Sequence, residues 1–333
     1  MYNFQRIKFK KSFLLNYLTP TSKGTNWYEP PPEGKINNRN IGRILLQFHQ
    51  FAEIVNRYDL FKKKKIKFLD VGTGNGILPE LISKFFKVKY SHGMDPYEDG
   101  EHATSWRRGT RKILLKKVLE KIKKNFISYK NYKNFLNYEN FSKLPQDLKL
   151  SHGEGNWKFK KSHIEKLSTN LKYNLFFLKC IDHIHNWDFL FKEITKRSEK
   201  KSLLVIKHNS FFGFNGAHRF ASTFIPWGHV ILNEKDFIKY AKKFHNNRYQ
   251  EMINFYYNGL TYPRQSIDDL ISILIFNKWK ILNIEYSPNK NFNLQINHLG
   301  GLNKFKNLVK RNFRNIGLDE LSSSRIIITA EKN

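Results

Sequence analysis

The sequence holds one cysteine, Cys180, in 333 residues. A single thiol excludes an intramolecular disulfide and any zinc site built from several cysteines. No apolar run approaches the ~20 residues of a membrane-spanning helix. The first residues, Met1 to Leu15, carry positive charge, but their apolar patch is too short and too interrupted for a signal peptide. A reduced, cytoplasmic setting is therefore expected. Acidic residues are also scarce. Against 59 Lys and Arg stand 28 Asp and Glu, for a formal net charge of +31.

A field of that size attracts polyanions, nucleic acid among them. The same composition follows from A/T-rich codons, since Lys far outnumbers Arg and Asn, Ile, Phe and Tyr abound. Arginine, the side chain for bidentate phosphate recognition, is not unusually common. Coding bias is thus favoured over a nucleic-acid footprint. The length allows one large domain or two small ones, with a substantial core.

What the chain does contain is concentrated between Ile66 and Ile77. Ile66 to Val71 reads as a short buried strand. It runs into alternating glycines, Gly72, Gly74 and Gly76, and then into helical spacing from Leu78 to Phe86. Strand, glycine turn and helix together present backbone N–H groups to a nucleotide-like ligand. A dinucleotide fingerprint wants its third glycine five residues after the first, but Ile77 occupies that position. Asp70 sits two residues before Gly72, where a carboxylate repels a pyrophosphate and accepts hydrogen bonds from an ammonium group. Asp95 ends a second expected strand, Val88 to Met94, where a carboxylate can take both ribose hydroxyls.

On these residues the chain resembles the class I S-adenosylmethionine-dependent methyltransferases. Asp70-Val71-Gly72-Thr73-Gly74-Asn75-Gly76 is similar to that family's first motif and Gly93-Met94-Asp95 to its second. The resemblance implies an α/β fold: a Rossmann-like, seven-stranded, mostly parallel sheet with helices on both faces. It implies S-adenosyl-L-methionine as cofactor. Asp70, Gly72, Thr73, Gly74 and Gly76 would hold the amino acid end and Asp95 the ribose, with Pro96, Ser162, His163 and Cys180 completing the cofactor set. Ser162 and His163 follow the expected third strand, where the family often has Asp-Ala near adenine; the acidic residue is missing here.

The rest of the chain is organised around that motif. An N-terminal extension and helix, residues 1–59, precedes a methyltransferase domain over 60–333 with inserts at 97–150 and 209–277. Residues 27–34 hold three prolines and cannot be helical. Asn40 to Tyr58 has helical spacing, with Ile41, Ile44, Leu45, Phe48, Phe51, Ile54 and Val55 on one face, and should pack beside the first strand. The later strands are expected at Trp157–Ile164, Tyr173–Cys180, Ser202–Lys207, Lys278–Tyr286 and Arg325–Glu331, the last two antiparallel. The first insert carries a basic amphipathic helix, Thr110 to Lys124, with Ile113, Leu114, Val118 and Ile122 inward. It reads as a lid, a docking surface or a surface helical pair. In it, Trp106, Arg107 and Arg108 could clamp an anionic acceptor or be ordinary surface.

In open α/β sheets ligands bind at the carboxyl ends of the strands. The segment after the fourth strand, Ile181-Asp182-His183-Ile184, is similar to the Leu-Glu-His-Val type of small-molecule methyltransferases, which lies beside the cofactor and acceptor. The other reading has Asp182 and His183 cap the next helix, the favoured role for His183. In the second insert, Gly216, His218, Pro226, Trp227, His229 and Leu232 are similar to a Gly-His-His … Pro-Trp-Ala-His-Leu pattern. That pattern occurs in uncharacterised bacterial methyltransferases, several linked to cell-surface glycans; its first histidine is Ala217 here. Imidazoles near pKa ~6.5 can take a proton from a hydroxyl nucleophile, so His218, His229 and His183 are candidate bases. His185 and Trp227, with Trp106, Arg107 and Arg108, are candidate substrate contacts. The histidine spacing demands no metal, and none is expected. The expected acceptor is a hydroxyl or amine of a small molecule or glycan. RNA or another nucleic acid is the alternative, weakened by the lack of an Asn/Asp-Pro-Pro-Tyr signature. A binding module without catalysis is the third reading, opposed by intact Asp70, glycines and Asp95. The oligomeric state is not set by the sequence.

Overall fold

The computed structural model describes residues 2–4, 7–9, 38–58, 65–86, 88–96, 113–122, 156–218, 221–223, 225–245 and 249–333. Two short strands, β1 (Tyr2–Phe4) and β2 (Ile7–Phe9), pair antiparallel. The other strands are β3 (Ile66–Val71), β4 (Val88–Asp95), β5 (Trp157–Lys161), β6 (Tyr173–Leu178), β7 (Ser198–His208), β8 (Trp279–Pro288) and β9 (Ser323–Lys332). They form a seven-stranded sheet in the order β5-β4-β3-β6-β7-β9-β8. β3 pairs in parallel with β4 and β6, and β4 with β5, while β8 and β9 are antiparallel. This is the Rossmann-like, mostly parallel sheet that the resemblance implied.

The chain divides into two compact units. One holds residues 30–178 and 196–203, the other residues 1–29, 179–195 and 204–333, so the chain passes from one to the other within β7.

In the first unit, helix α1 (Asn38–Arg57) buries all seven residues of its expected apolar face. Phe51 meets Phe68 of β3 edge-on at 5.2 Å, and Phe68 meets Phe177 of β6 at 5.3 Å. Such pairs add about 0.5–1.5 kcal/mol each beyond their buried area. Helix α2 (Ile77–Phe85) follows the glycine turn. Helix α3, residues 113–122, buries Leu114, Val118 and Ile122 but leaves Ile113 40% exposed. The inward stripe is narrower than expected, because Ile113 lies in the helix's first turn, off the Leu114–Val118–Ile122 row. The rest of the 97–150 insert lies outside the described residues, as do residues 10–37.

Two strands end early. β5 stops at Lys161, and Ile164–Lys166 forms a 3₁₀ turn. β6 stops at Leu178, and Ile181–His183 forms another. β7 starts earlier than expected, at Ser198, because its polar opening carries no apolar signal. That opening is held instead by Tyr173 N–H donating to Arg197 O at 2.8 Å and by a Lys67–Glu199 ion pair.

The second unit carries α4 (Trp187–Lys196), α5 (Glu234–His245), α6 (Tyr249–Asn254), α7 (Ile267–Phe276), α8 (Phe292–His298), α9 (Leu302–Lys310) and α10 (Leu318–Ser322). A π-helical turn, Phe255–Gly259, follows α6. Most of these helices lie in the expected second insert and beyond it. Of these, α5, α6, α8, α9 and α10 share a core that includes Phe211, Trp227, Phe237, Tyr240 and Phe305.

Candidate active site

The glycine loop lies at the point where strand order reverses, between β4 and β6 on either side of β3. This is where open α/β sheets bind ligands. Gly72, Gly74 and Gly76 all take left-handed φ values, 68°, 66° and 67°. That conformation is cheap for glycine and strained for other residues. The loop is stitched to the end of β4. Gly72 and Thr73 N–H both donate to Met94 O, at 2.9 and 3.0 Å. Gly74 N–H donates to Asp95 Oδ2 at 2.9 Å. Asp70 is fully buried, and its Oδ2 accepts the Thr73 hydroxyl at 2.7 Å. So Asp70 shapes the loop, and Asp95, the expected ribose ligand, is tied to it. Gly93 admits this close packing, since a Cβ there would meet Pro79 and Thr73 atoms at 2.8 Å.

These residues fit the cofactor. A Cβ on Gly74 would meet nothing within 4 Å, so the loop's outer side is open to a ligand. A carboxylate stands at the end of each of the two strands that flank it, Asp70 in β3 and Asp95 in β4. Pro96 follows Asp95 and is half-buried. Ser162 N–H donates to the Asp95 backbone carbonyl at 3.0 Å, which ties the end of β5 to the end of β4; His163 beside it is exposed. Cys180 is of intermediate exposure and belongs to no disulfide.

In the second unit a buried carboxylate organises a histidine cluster. Asp182 lies in the 3₁₀ turn Ile181–His183 and is 5% exposed. His218 Nε2 lies 2.7 Å from Asp182 Oδ2. The His183 and His218 rings sit edge-on at 4.8 Å. His183 Nδ1–H donates to Gly259 O at 2.5 Å. The turn itself is fastened from outside. Thr261 N–H donates to Asp182 O at 2.9 Å, the Thr261 hydroxyl reaches Ile181 O, and the Trp187 indole donates to Ile181 O at 3.0 Å. Burial alone would raise the Asp182 carboxyl. The His218 hydrogen bond and the nearby His218, His183 and His208 rings together outweigh it and hold the pKa at about 2. Asp182 is therefore an anion at any working pH. His218 stands at φ 51° in a chain of tight turns. Gly216, just before it, has no room for a side chain, because a Cβ would meet Phe211 O at 2.2 Å.

The structure places the other expected residues differently. His229 is buried, and its Nε2 faces Phe211 O at 2.9 Å and Gly213 O at 3.2 Å. Burial pushes it down to about 4, so it is a neutral N–H donor that fixes the 211–213 turn. His185 Nδ1 accepts Tyr262 N–H at 3.2 Å, and its Nε2 donates to Asn258 O at 3.1 Å. Both of its nitrogens are thus engaged by backbone. Trp227 is 1% exposed and packs on Phe214, Phe292 and Phe305. It belongs to the core, without an open face to form a pocket wall. Trp106, Arg107 and Arg108 lie outside the described residues.

Sequence reasoning missed His208. It is buried, and neither ring nitrogen has a hydrogen-bond partner among the described residues. It lines a small cavity with Asp182, Trp187, Phe211, Gly216 and Thr261. Its signal was available: it is the last residue of β7, one beyond the expected strand Ser202–Lys207, at the strand end where sites form.

A family model described as a methyltransferase domain matches residues 45–256. No curated protein matches the chain. Among solved structures, an S-adenosylmethionine-dependent methyltransferase from Methanosarcina mazei is similar at 14% identity, covering 81% of this chain and 93% of that one, TM-score 0.38. One from Mesorhizobium loti is similar at 10% identity, covering 80% and 91%, TM-score 0.39. Magnesium protoporphyrin IX methyltransferase from Synechocystis PCC 6803, with S-adenosylhomocysteine bound, is similar at 11% identity, covering 90% of each chain, TM-score 0.39. The family match spans the glycine loop, Asp95, the Asp182 turn and His218, and with it the chain belongs to the methyltransferase-domain family, with S-adenosylmethionine as its cofactor.

Proposed function

We propose that the protein methylates a hydroxyl or amine of a small molecule or glycan, with His218 taking the proton and Asp182 orienting it. The observation that carries this is the 2.7 Å contact between His218 Nε2 and the buried Asp182 carboxylate. A carboxylate there fixes the tautomer in which Nε2 bears the hydrogen and Nδ1 the lone pair, and it stabilises the imidazolium that forms. His218 keeps 25% of its side chain exposed, so an acceptor can reach it, whereas buried His229 cannot serve that way.

The cofactor supplies an electrophilic methyl group on a sulfonium. The chain's own residues do the rest. The loop of Gly72, Thr73 and Gly74 and the Asp70 and Asp95 carboxylates bind and orient. Asp182, which orients the base, follows the last residue of β6 by four positions in sequence. Positioning of this kind supplies much of the barrier reduction in a displacement.

The test is a methylation screen of cell extract with isotope-labelled cofactor, read by mass spectrometry, followed by kinetics on the product found. His218→Ala should lower turnover ~10²–10⁴-fold with cofactor affinity intact. Full turnover in that variant would refute His218 as the base. A methylated nucleic acid as sole product would favour the second reading, which the +31 charge supports.

A further inference from the structure

We propose that Asp182, His183 and His218 form a binding site for a divalent transition-metal cation of the zinc class. Among the described residues these three offer ligand atoms that all lie within 4.8 Å of one another. Two imidazoles and a carboxylate suit zinc, cobalt and their neighbours. Ligands ~2.1 Å from a tetrahedral ion are themselves ~3.4 Å apart. The Asp182–His218 pair, now at 2.7 Å, would open slightly and the widest pair close by about an ångström and a half, within reach of side-chain rotation.

Three independent observations point to a ligand here. His183 donates its Nδ1–H to Gly259 O, the backbone anchor that metal-bound histidines typically use to present Nε2. Asp182 Oδ1 is buried with no hydrogen-bond partner among the described residues. His208, buried with both ring nitrogens likewise unpartnered, lines the same cavity as Asp182. Buried polar atoms are nearly always satisfied, and a cation coordinated by Asp182 satisfies its second oxygen. The ligands are also preorganised. Thr261 and Trp187 hold the turn that carries Asp182 and His183, and the Gly213–Gly216 turns hold His218.

The inference goes beyond the proposed methyl transfer. A cation that takes His218 Nε2 removes it from Asp182 and leaves the hydrogen on Nδ1, which silences His218 as a proton acceptor. Metal occupancy and the base role are therefore opposed, and added zinc should inhibit.

Chelator-treated full-length protein, titrated with cobalt(II) and followed by visible d–d absorption, tests the site. Zinc(II) titration by calorimetry gives the stoichiometry. One equivalent should bind. Asp182→Asn, His183→Ala and His218→Ala should each weaken binding at least ten-fold, while His298→Ala, at a surface histidine, should not. Circular dichroism and S-adenosylmethionine affinity report whether each variant is folded. These two readouts also separate failure of this site from failure of the cofactor assignment. Absence of saturable binding, or binding that survives all three ligand variants, overturns the proposal. Should an alanine variant unfold, zinc-dependent stabilisation of the wild type, abolished in folded Asp182→Asn, decides the question.

Discussion

At the scale of single residues, the glycine loop makes the sharpest demand. Gly74 stands at φ 66° with open space where a Cβ would project. The Cβ of Gly74→Val therefore meets no atom within 4 Å among the described residues. Its cost is a β-branched residue in a left-handed conformation, on the order of 1–3 kcal/mol, plus a side chain in the ligand's path. Asp95→Ala removes the ribose anchor and the acceptor of Gly74 N–H. Calorimetry should show S-adenosylmethionine affinity down at least ten-fold in both variants; unchanged affinity in both would refute the site. The histidines divide in a different way. His218→Ala should cost turnover, and stability as well, because it leaves the buried Asp182 carboxylate without its hydrogen-bond partner. His229→Ala should cost stability alone, about 1–3 kcal/mol for the buried carbonyl of Phe211 left without this donor. Thermal melting set beside turnover separates the two, and the reverse assignment would show that His229 carries chemistry.

At the scale of elements, the start of α7 is the informative place. Its capping box, Ser266 with Asp269, is readable from sequence. Its second anchor is not: Glu320 of α10 accepts Ile267 N–H at 3.2 Å and the Ser210 hydroxyl. Burial pushes Glu320 from 4.5 up to about 7. A carboxyl raised this way contributes stability that is fully present below pH ~4.5 and lost as pH rises through 7. Glu320→Gln keeps an acceptor and sheds the charge. It should melt higher than wild type above pH 7 by on the order of 1–3 kcal/mol, with the difference shrinking toward pH 4.5. A difference independent of pH would rule out ionisation as the cause. The same contrast explains what was legible beforehand. β3 and β6 announced themselves because buried parallel strands are largely apolar, and the loop because its glycines alternate. The opening of β7 was silent, since its residues are polar and its partners distant in sequence. The pairing of Asp182 with His218 was equally hidden. Both residues had been noticed, but a contact across 36 positions is set by tertiary packing.

At the scale of the whole molecule, charge and burial make separate statements. The +31 net charge is spread through a lysine-rich composition. Nucleic-acid binding in a filter assay should therefore be weak and fall steeply with salt; tight, structure-selective RNA binding at physiological salt would promote the nucleic-acid reading. Stability follows the buried histidines instead. Burial pushes His49, His92, His208 and His229 each down to about 4. Above pH ~6.5 these rings are neutral whether the chain is folded or not, and stability is flat with pH. Between 6.5 and 4 the unfolded chain takes up protons that the folded chain refuses. Each ring then subtracts about 1.4 kcal/mol per pH unit. Asp182, held down at about 2, adds its own loss only below its ordinary range near 3.8. Glu320 runs the other way between 7 and 4.5, but one carboxyl offsets only one of the four rings, so melting temperature should change little from pH 8 to 6.5 and fall from 6.5 toward 4.5. His49→Phe, which keeps a ring beside Phe48 without a titrating nitrogen, should make that fall shallower. A melting temperature that stays level down to pH 4.5 would mean that the buried histidines are protonated in the fold, and that the cluster around Asp182 carries more positive charge than its geometry allows.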